Sequence, residues 1–196
     1  MSIKNSNTTS DYIEWDVAIN LMNRLFRDGD YRMSLLVGCG IFFGLRISDT
    51  LRLTWEMLIE GNSFEIIEKK TKKRREIRIN ANFQKHIKDC YNALKIENPS
   101  QFCFISRKKR VYSIQRINVL LKDMKKRYNL KSVKNISSHS LRKTFSRHIY
   151  ERADGNGEMA LAMLSELLNH SNIMVTKRYI GLRKEEILNC YNLLDF

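Results

Sequence analysis

Six side chains of this 196-residue sequence could act together on a phosphate ester: Arg46, Lys70, His139, Arg142, His170 and Tyr179. Transfer of a phosphoryl group needs cations for the charge on the non-bridging oxygens, a nucleophile, and a proton for the leaving oxygen. Arg suits the first task because its planar fork holds phosphate through two parallel bonds. Lys or His suits proton transfer. A Tyr phenol becomes a nucleophile once its proton is removed. His139 and Arg142, three residues apart, share one face of a predicted helix. Tyr179 follows His170 by nine residues. The sequence shows no carboxylate cluster suited to a catalytic Mg²⁺. The chemistry expected is therefore metal-independent, with no cofactor implied. Each residue alone has a plainer explanation: Arg46 in a surface salt bridge, His139 as a satisfied buried histidine, Tyr179 as a core aromatic.

The elements that must position these groups can be read from periodicity. Trp15, Ile19, Met22, Leu25 and Phe26 recur at helical spacing up to Asp28-Gly29. Tyr31 to Phe43 is apolar nearly all round, which predicts a buried helix with Gly38 and Gly40 at close packing points, broken by Gly44. A further helix is expected from Leu45 to about Leu53-Thr54-Trp55. Phe64–Glu68 and Glu76–Asn80 alternate apolar and polar residues and predict two strands. The run Lys69, Lys70, Thr71, Lys72, Lys73, Arg74, Arg75 then forms a basic hairpin tip, a shape suited to phosphates or a groove. A second basic cluster, Arg107-Lys108-Lys109-Arg110, falls in a predicted loop. Helices are expected over Phe83–Leu94, from Ile114 to beyond Met124, and over His139–Tyr150. The helix from Glu158 to Leu168 places Met159, Ala162, Met163 and Leu167 on one apolar face. Asn169 should end it in the left-handed conformation and turn the chain at His170. The fold class expected is mainly α with one small antiparallel sheet (α+β).

Composition narrows the partners. With 35 Lys+Arg against 21 Asp+Glu the net charge is +14, the electrostatic footprint of a nucleic-acid binder. No apolar run approaches the ~18 residues of a membrane span, and the basic residues are spread over many segments rather than one amphipathic helix. The four Cys are scattered, so free thiols in a cytoplasmic setting are expected.

The motifs in order resemble the tyrosine recombinases, the phage integrase family. Gly44-Leu45-Arg46-Ile47-Ser48-Asp49 is similar to the first arginine box, with Asp49 where Glu is usual. Lys70 before Thr71 is similar to the catalytic lysine, with Lys69, Lys72 and Lys73 as rivals. His139-Ser140-Leu141-Arg142 matches H-x-L-R. Leu167-Leu168-Asn169-His170-Ser171 matches L-L-G-H-S with Asn for Gly. Tyr179 stands at the nucleophile's distance, and Thr176 also fits. The resemblance covers about Asp11 to Tyr191 and implies a site-specific recombinase: Tyr179 the nucleophile, Arg46, Arg142 and His170 holding charge, Lys70 the acid, His139 positioning the phosphate. It implies contacts to DNA from Lys69, Lys72, Lys73, Arg74, Arg75, Arg107, Lys108, Lys109, Arg110 and Lys143, and supporting roles for Asp49 and Asn169. The partner implied is double-stranded DNA with an inverted-repeat site, bound by a chain monomeric in solution and tetrameric on paired sites, with accessory DNA-bending proteins allowed for. A bacterial, phage or mobile-element origin is implied too. A type IB topoisomerase-like enzyme or a non-catalytic DNA-binding regulator are the alternatives. Residues 1–10 are expected to be a flexible lead-in, and 11–196 one catalytic domain with a tail helix over 183–196. Family members usually add an N-terminal helical domain. Its absence here suggests a short member like the fimbrial-type DNA invertases, or else a catalytic fragment.

Overall fold

The structure, a computed structural model, describes residues 10–153 and 155–191, apart from the side chains of residues 183–185. It divides into two compact units, Met1–Phe145 and Ser146–Phe196. The described residues are mostly helical, with a two-stranded antiparallel sheet.

The first unit is built round α2 (Tyr31–Phe43), which follows α1 (Trp15–Arg27). α2 begins where the Asp30 carboxylate accepts from the Met33 N–H at 3.4 Å. Every residue from Met33 to Ile41 is buried, as expected of a helix apolar on all sides. Such packing needs small residues at crossings: a Cβ on Gly38 would strike the Phe83 ring, and one on Gly40 would strike Leu141. Phe83 lies on α5 (Ala81–Ala93) and Leu141 on α7 (Ser138–Glu151). Phe43, Trp55, Phe83 and Phe104 are all fully buried in this core, each contributing about 1.5–3 kcal/mol by removal from water. α2 stops at Gly44, whose left-handed backbone (φ +56°) sends the chain towards α3 (Ile47–Thr50).

Here the structure departs from the expected single helix. α3 is one turn long, and Trp55 opens a separate α4 (Trp55–Ile59) capped by Thr54. β1 (Ser63–Ile67) and β2 (Arg74–Arg78) pair with Phe64 opposite Ile77 and Ile67 opposite Arg74. Arg74 and Arg75 therefore belong to a strand, and the turn is Lys69–Lys72. It is closed by the Glu68 N–H donating to the Lys73 carbonyl (3.0 Å) and the Lys72 N–H to that of Glu68 (2.9 Å). Lys72 takes φ +59° in this turn. α6 (Ile114–Arg127) starts at Ser113, whose hydroxyl accepts from the Arg116 N–H, and buries Ile117, Leu121 and Met124.

The second unit holds the end of α7, then α8 (Gly157–Leu168), α9 (Ile173–Tyr179) and α10 (Leu182–Tyr191). Asn169 has φ +53°, and the His170 N–H donates back to the Ser165 carbonyl at 2.9 Å, the expected left-handed stop. The buried face of α8 is not the expected one: Ala160, Leu161, Leu164 and Leu168 point inward, while Met159 and Met163 are 66% and 64% exposed. α8 is apolar on most sides, so Leu161, Leu164 and Leu168 make as good a stripe as the methionines. Leu161, Ile180 and Leu182 form a small core against Tyr150 and Tyr179. The tail helix begins at Leu182; residues 192–196 lie outside the described residues, as does the lead-in up to residue 9.

Candidate active site

Gly44 and the short α3 decide where the first arginine goes. Arg46 is the N-cap of α3, in extended backbone, and its side chain is largely covered. Its Nη1 lies 2.7 Å from Oε2 of Glu68, the residue that follows β1. Glu68 is completely buried. Burial opposes its ionisation, but the Thr71 hydroxyl and Arg46, with Arg142 beyond, outweigh this and hold its carboxyl below the usual range. Arg142, on the first turns of α7, is 4% exposed and donates from Nη1 to the Gly44 carbonyl at 2.6 Å. Arg46, His139 and Arg142 line one cleft of about 230 Å³, with Ser48, Asn118 and Ser138.

The His139 ring reaches the surface of this cleft. Partial burial, then the charges of Arg142, Lys143, Arg46 and Lys70, push its pKa below the ordinary imidazole value and favour the uncharged ring. Lys70 is thus close enough for its charge to act on His139. Lys70 itself is exposed on the hairpin turn. The turn is fastened by two buried carboxylates: Asp49 Oδ1 accepts from the Lys69 N–H at 2.8 Å, and Glu68 Oε2 accepts from the Thr71 hydroxyl at 2.8 Å. Asp49 therefore has a physical role in this structure, holding the turn rather than Arg46.

In the second unit the Asn169 turn brings His170 back over α9. Its Nδ1 shares a 3.0 Å hydrogen bond with the fully buried Thr176 hydroxyl. This bond orients the ring and assigns Nδ1 to the protein. The His170 and Tyr179 rings meet edge to face, centroids 5.2 Å apart. Asn172 caps α9 through the Val175 N–H, setting the helix that carries Tyr179.

Of the basic residues expected at DNA, Lys69, Lys72, Lys73 and Arg74 are exposed on the hairpin. Arg107, Lys108, Lys109 and Arg110 are exposed on a tight turn, in which the Lys109 N–H donates to the Ser106 carbonyl and Lys109 has φ +55°. Two others are placed differently. Arg75 turns inward, donating to the Phe43 carbonyl at 2.8 Å and lying 3.7 Å from Glu68. Lys143 donates to the Ser10 carbonyl at 2.7 Å, and partial burial lowers its pKa. The residue that the sequence reading missed is Glu68. The signal was present in the strand alternation, which puts Phe64, Ile66 and Glu68 on one face. The scattered cysteines are free thiols, Cys39, Cys90 and Cys103 buried and Cys190 exposed.

Residues 12–186 match the model of the phage integrase family. A probable integrase/recombinase of Bacillus subtilis (strain 168), YoeC, is 31% identical over 154 residues, 79% of this chain and 80% of the relative. Tyrosine recombinase XerC of Caldanaerobacter subterraneus subsp. tengcongensis is 26% identical over 187 residues, 92% of this chain and 50% of the relative, so the chain spans half that protein's length. Among solved structures, XerA recombinase matches with a TM-score of 0.69 at 19% identity, covering 96% of this chain and 66% of that one. The Tn1549 transposon integrase, solved with transposon right end DNA, matches with a TM-score of 0.64 at 17% identity, covering 95% and 68%. At these identities the structural matches establish the fold, that of tyrosine recombinases. Matched by the family model over most of its length, and by a relative that it largely spans, the chain belongs to the phage integrase family.

Proposed function

We propose that the protein is a site-specific DNA recombinase that cuts and rejoins strands through a 3′-phosphotyrosyl intermediate, without metal or ATP. The observation that carries this is the cleft where Arg46, Arg142 and His139 converge beside the fastened Lys70 turn. In this reading the two guanidiniums and His170 hold the non-bridging oxygens of one phosphate, where preorganised charge counts most. The Tyr179 Oη attacks phosphorus and its proton passes to His139. The bond from phosphorus to the 5′ oxygen breaks, and that oxygen leaves with a proton from Lys70. The phosphotyrosine conserves the bond energy, and a 5′-hydroxyl from the same or another strand reverses the step. Whether the outcome is integration, excision or inversion depends on how two sites are paired.

The exposed lysines and arginines of the two basic turns supply contacts to duplex DNA carrying an inverted-repeat site. Assembly into a tetramer on paired sites is supported by apolar surface left open in the second unit. α10 exposes Ile187, Leu188 and Tyr191, and α8 exposes Met159 and Met163. These surfaces fit a helix-in-groove contact between copies, weak enough for a monomer in free solution.

Trapping on a nicked duplex carrying the native site tests the reading. The expected result is a covalent adduct on a denaturing gel, formed in EDTA, whose proteolysis yields a nucleotide on the peptide containing Tyr179. Cleavage that leaves no protein attached, or plasmid relaxation with no site dependence, would remove the proposal.

A further inference from the structure

We infer that Glu68 is a positioning residue that locks Arg46 and the turn carrying Lys70 into one rigid piece, so that charge stabilisation and proton donation are set by a single carboxylate. The inference rests on the recombinase chemistry proposed above.

Glu68 Oε2 takes two donors from opposite directions. One is Nη1 of Arg46 at 2.7 Å, 22 residues earlier in the chain; the other is the Thr71 hydroxyl at 2.8 Å, next to Lys70. Its backbone closes the same turn at both ends, through the Lys73 carbonyl and the Lys72 N–H. Lys70 is thereby flanked by Lys69, held at Asp49, and Thr71, held at Glu68. The Glu68 side chain has no exposed surface, so water does not compete for its oxygens. Its negative charge also sits among Arg46, Arg75 and Arg142, whose mutual repulsion would otherwise push the guanidiniums apart. A side chain one methylene shorter would reach one donor or the other. Asp49 illustrates this: it is equally buried, and it holds the Lys69 N–H while Arg52 stands 3.7 Å away.

The test separates the two halves of the lock with modified DNA. A 5′-bridging sulfur leaves without a proton, so it compensates for a displaced Lys70. A methylphosphonate at the scissile position carries no charge, so it compensates for a displaced Arg46. Thr71→Val detaches the Thr71 side of the turn from the Glu68 carboxylate, with Asp49 still holding Lys69, and leaves the ion pair of Glu68 and Arg46. It is expected to slow adduct formation about 10-fold, the worth of one hydrogen bond, with rescue by the sulfur substrate and not by methylphosphonate. Glu68→Gln disturbs both donors and is expected to cost about 100-fold, partly recovered by each substrate, with duplex binding kept. Wild-type rates for Glu68→Gln would overturn the inference. So would a loss that neither substrate relieves in a folded, DNA-binding variant, because that is the mark of general structural damage. If Glu68→Gln does not fold, Thr71→Val decides alone, and absence of selective sulfur rescue overturns the proposal. A wild-type protein that forms no adduct on any of the three substrates would remove the recombinase reading itself, and this inference with it.

Discussion

In the first unit Arg46, Arg142 and the turn carrying Lys70 are tied to buried acceptors; in the second, Tyr179 packs against a small core of Leu161, Ile180 and Leu182, and His170 is held by the Thr176 hydroxyl. Arg46 has Glu68, Arg142 has the Gly44 carbonyl, and the Lys70 turn has Asp49 and Glu68. Beneath them lies a continuous core from Ile13 to Leu141. The second unit exposes Met159, Met163, Ile187, Leu188 and Tyr191. Few buried apolar neighbours and much exposed apolar surface mark a region of low local stability. The difference teaches a division of labour: the two arginines proposed to hold charge are fixed by buried acceptors, while the proposed nucleophile sits on a lightly built support with much exposed apolar surface.

The largest expected effect tests the second unit's chemistry directly. Tyr179→Phe removes only the phenol oxygen and should abolish the adduct while duplex binding, measured by gel shift, stays near wild type. An adduct from this variant would dissolve the distinction between the two units. Next, Lys70→Ala should slow cleavage by about 100-fold, the lower range for losing a general acid, and a 5′-bridging sulfur should restore it. Rescue appearing with Lys69→Ala or Lys72→Ala instead would move the acid along the turn.

Stability should divide in the same way. Phe83→Ala removes a ring from the large core and should cost about 3–5 kcal/mol, and Leu161→Ala about 2–5 kcal/mol. Hydrogen exchange is the sharper measurement. Leu161→Ala should strip protection from α8 and α9 and leave α2 as slow as before; uniform loss over both units would mean one cooperative structure. The smallest effect is on pH. His139 and His86 both have lowered pKa values, burial being the first cause for each. The unfolded chain therefore binds more protons near pH 6.5, so stability of the first unit should fall as pH drops through about 6.5. Glu68, lowered in the fold, adds stability present above about pH 4.3 and lost as pH falls further through its folded value. Chemical denaturation from pH 8 to 4 should show the first decline, and His139→Asn should shrink it.

Much of this was legible in the sequence because local chemistry and tertiary packing agreed. α2 was readable, since Gly44 ends it and an all-apolar helix has only one place to go; its Asp30 cap came from the structure. Asn169 was readable for the same reason. Where an element is apolar on several sides, periodicity alone does not choose the inward face, and α8 turned its methionines outward. Trp55 opened a helix rather than closing one because Thr54 provides a cap that a purely apolar count passes over. Arg75 and Glu68 were hidden by their charge. Seven basic or hydroxyl residues in a row read as a basic hairpin tip suited to phosphates, yet Arg75 shares its strand face with Ile77 and Ile79, and Glu68 shares its own with Phe64 and Ile66. Alternation outranked charge at both positions because buried partners were in place, Arg46 and Thr71 for Glu68 and the Phe43 carbonyl for Arg75.

Lys72 and Lys109 bear on how such a protein could change over time. Both hold left-handed backbone at the tips of the basic turns, and both side chains are exposed. A side chain there costs about 1–2 kcal/mol, and glycine would avoid most of this, less its own added freedom when unfolded. Lys72→Gly with Lys109→Gly should therefore raise the melting temperature by a few degrees, about 1 kcal/mol being worth roughly 2–8 °C. The same double variant should flatten the salt dependence of duplex binding by about 0.9 for each phosphate no longer neutralised. A sturdier fold and a grip on a polyanion thus call for different residues at these two positions.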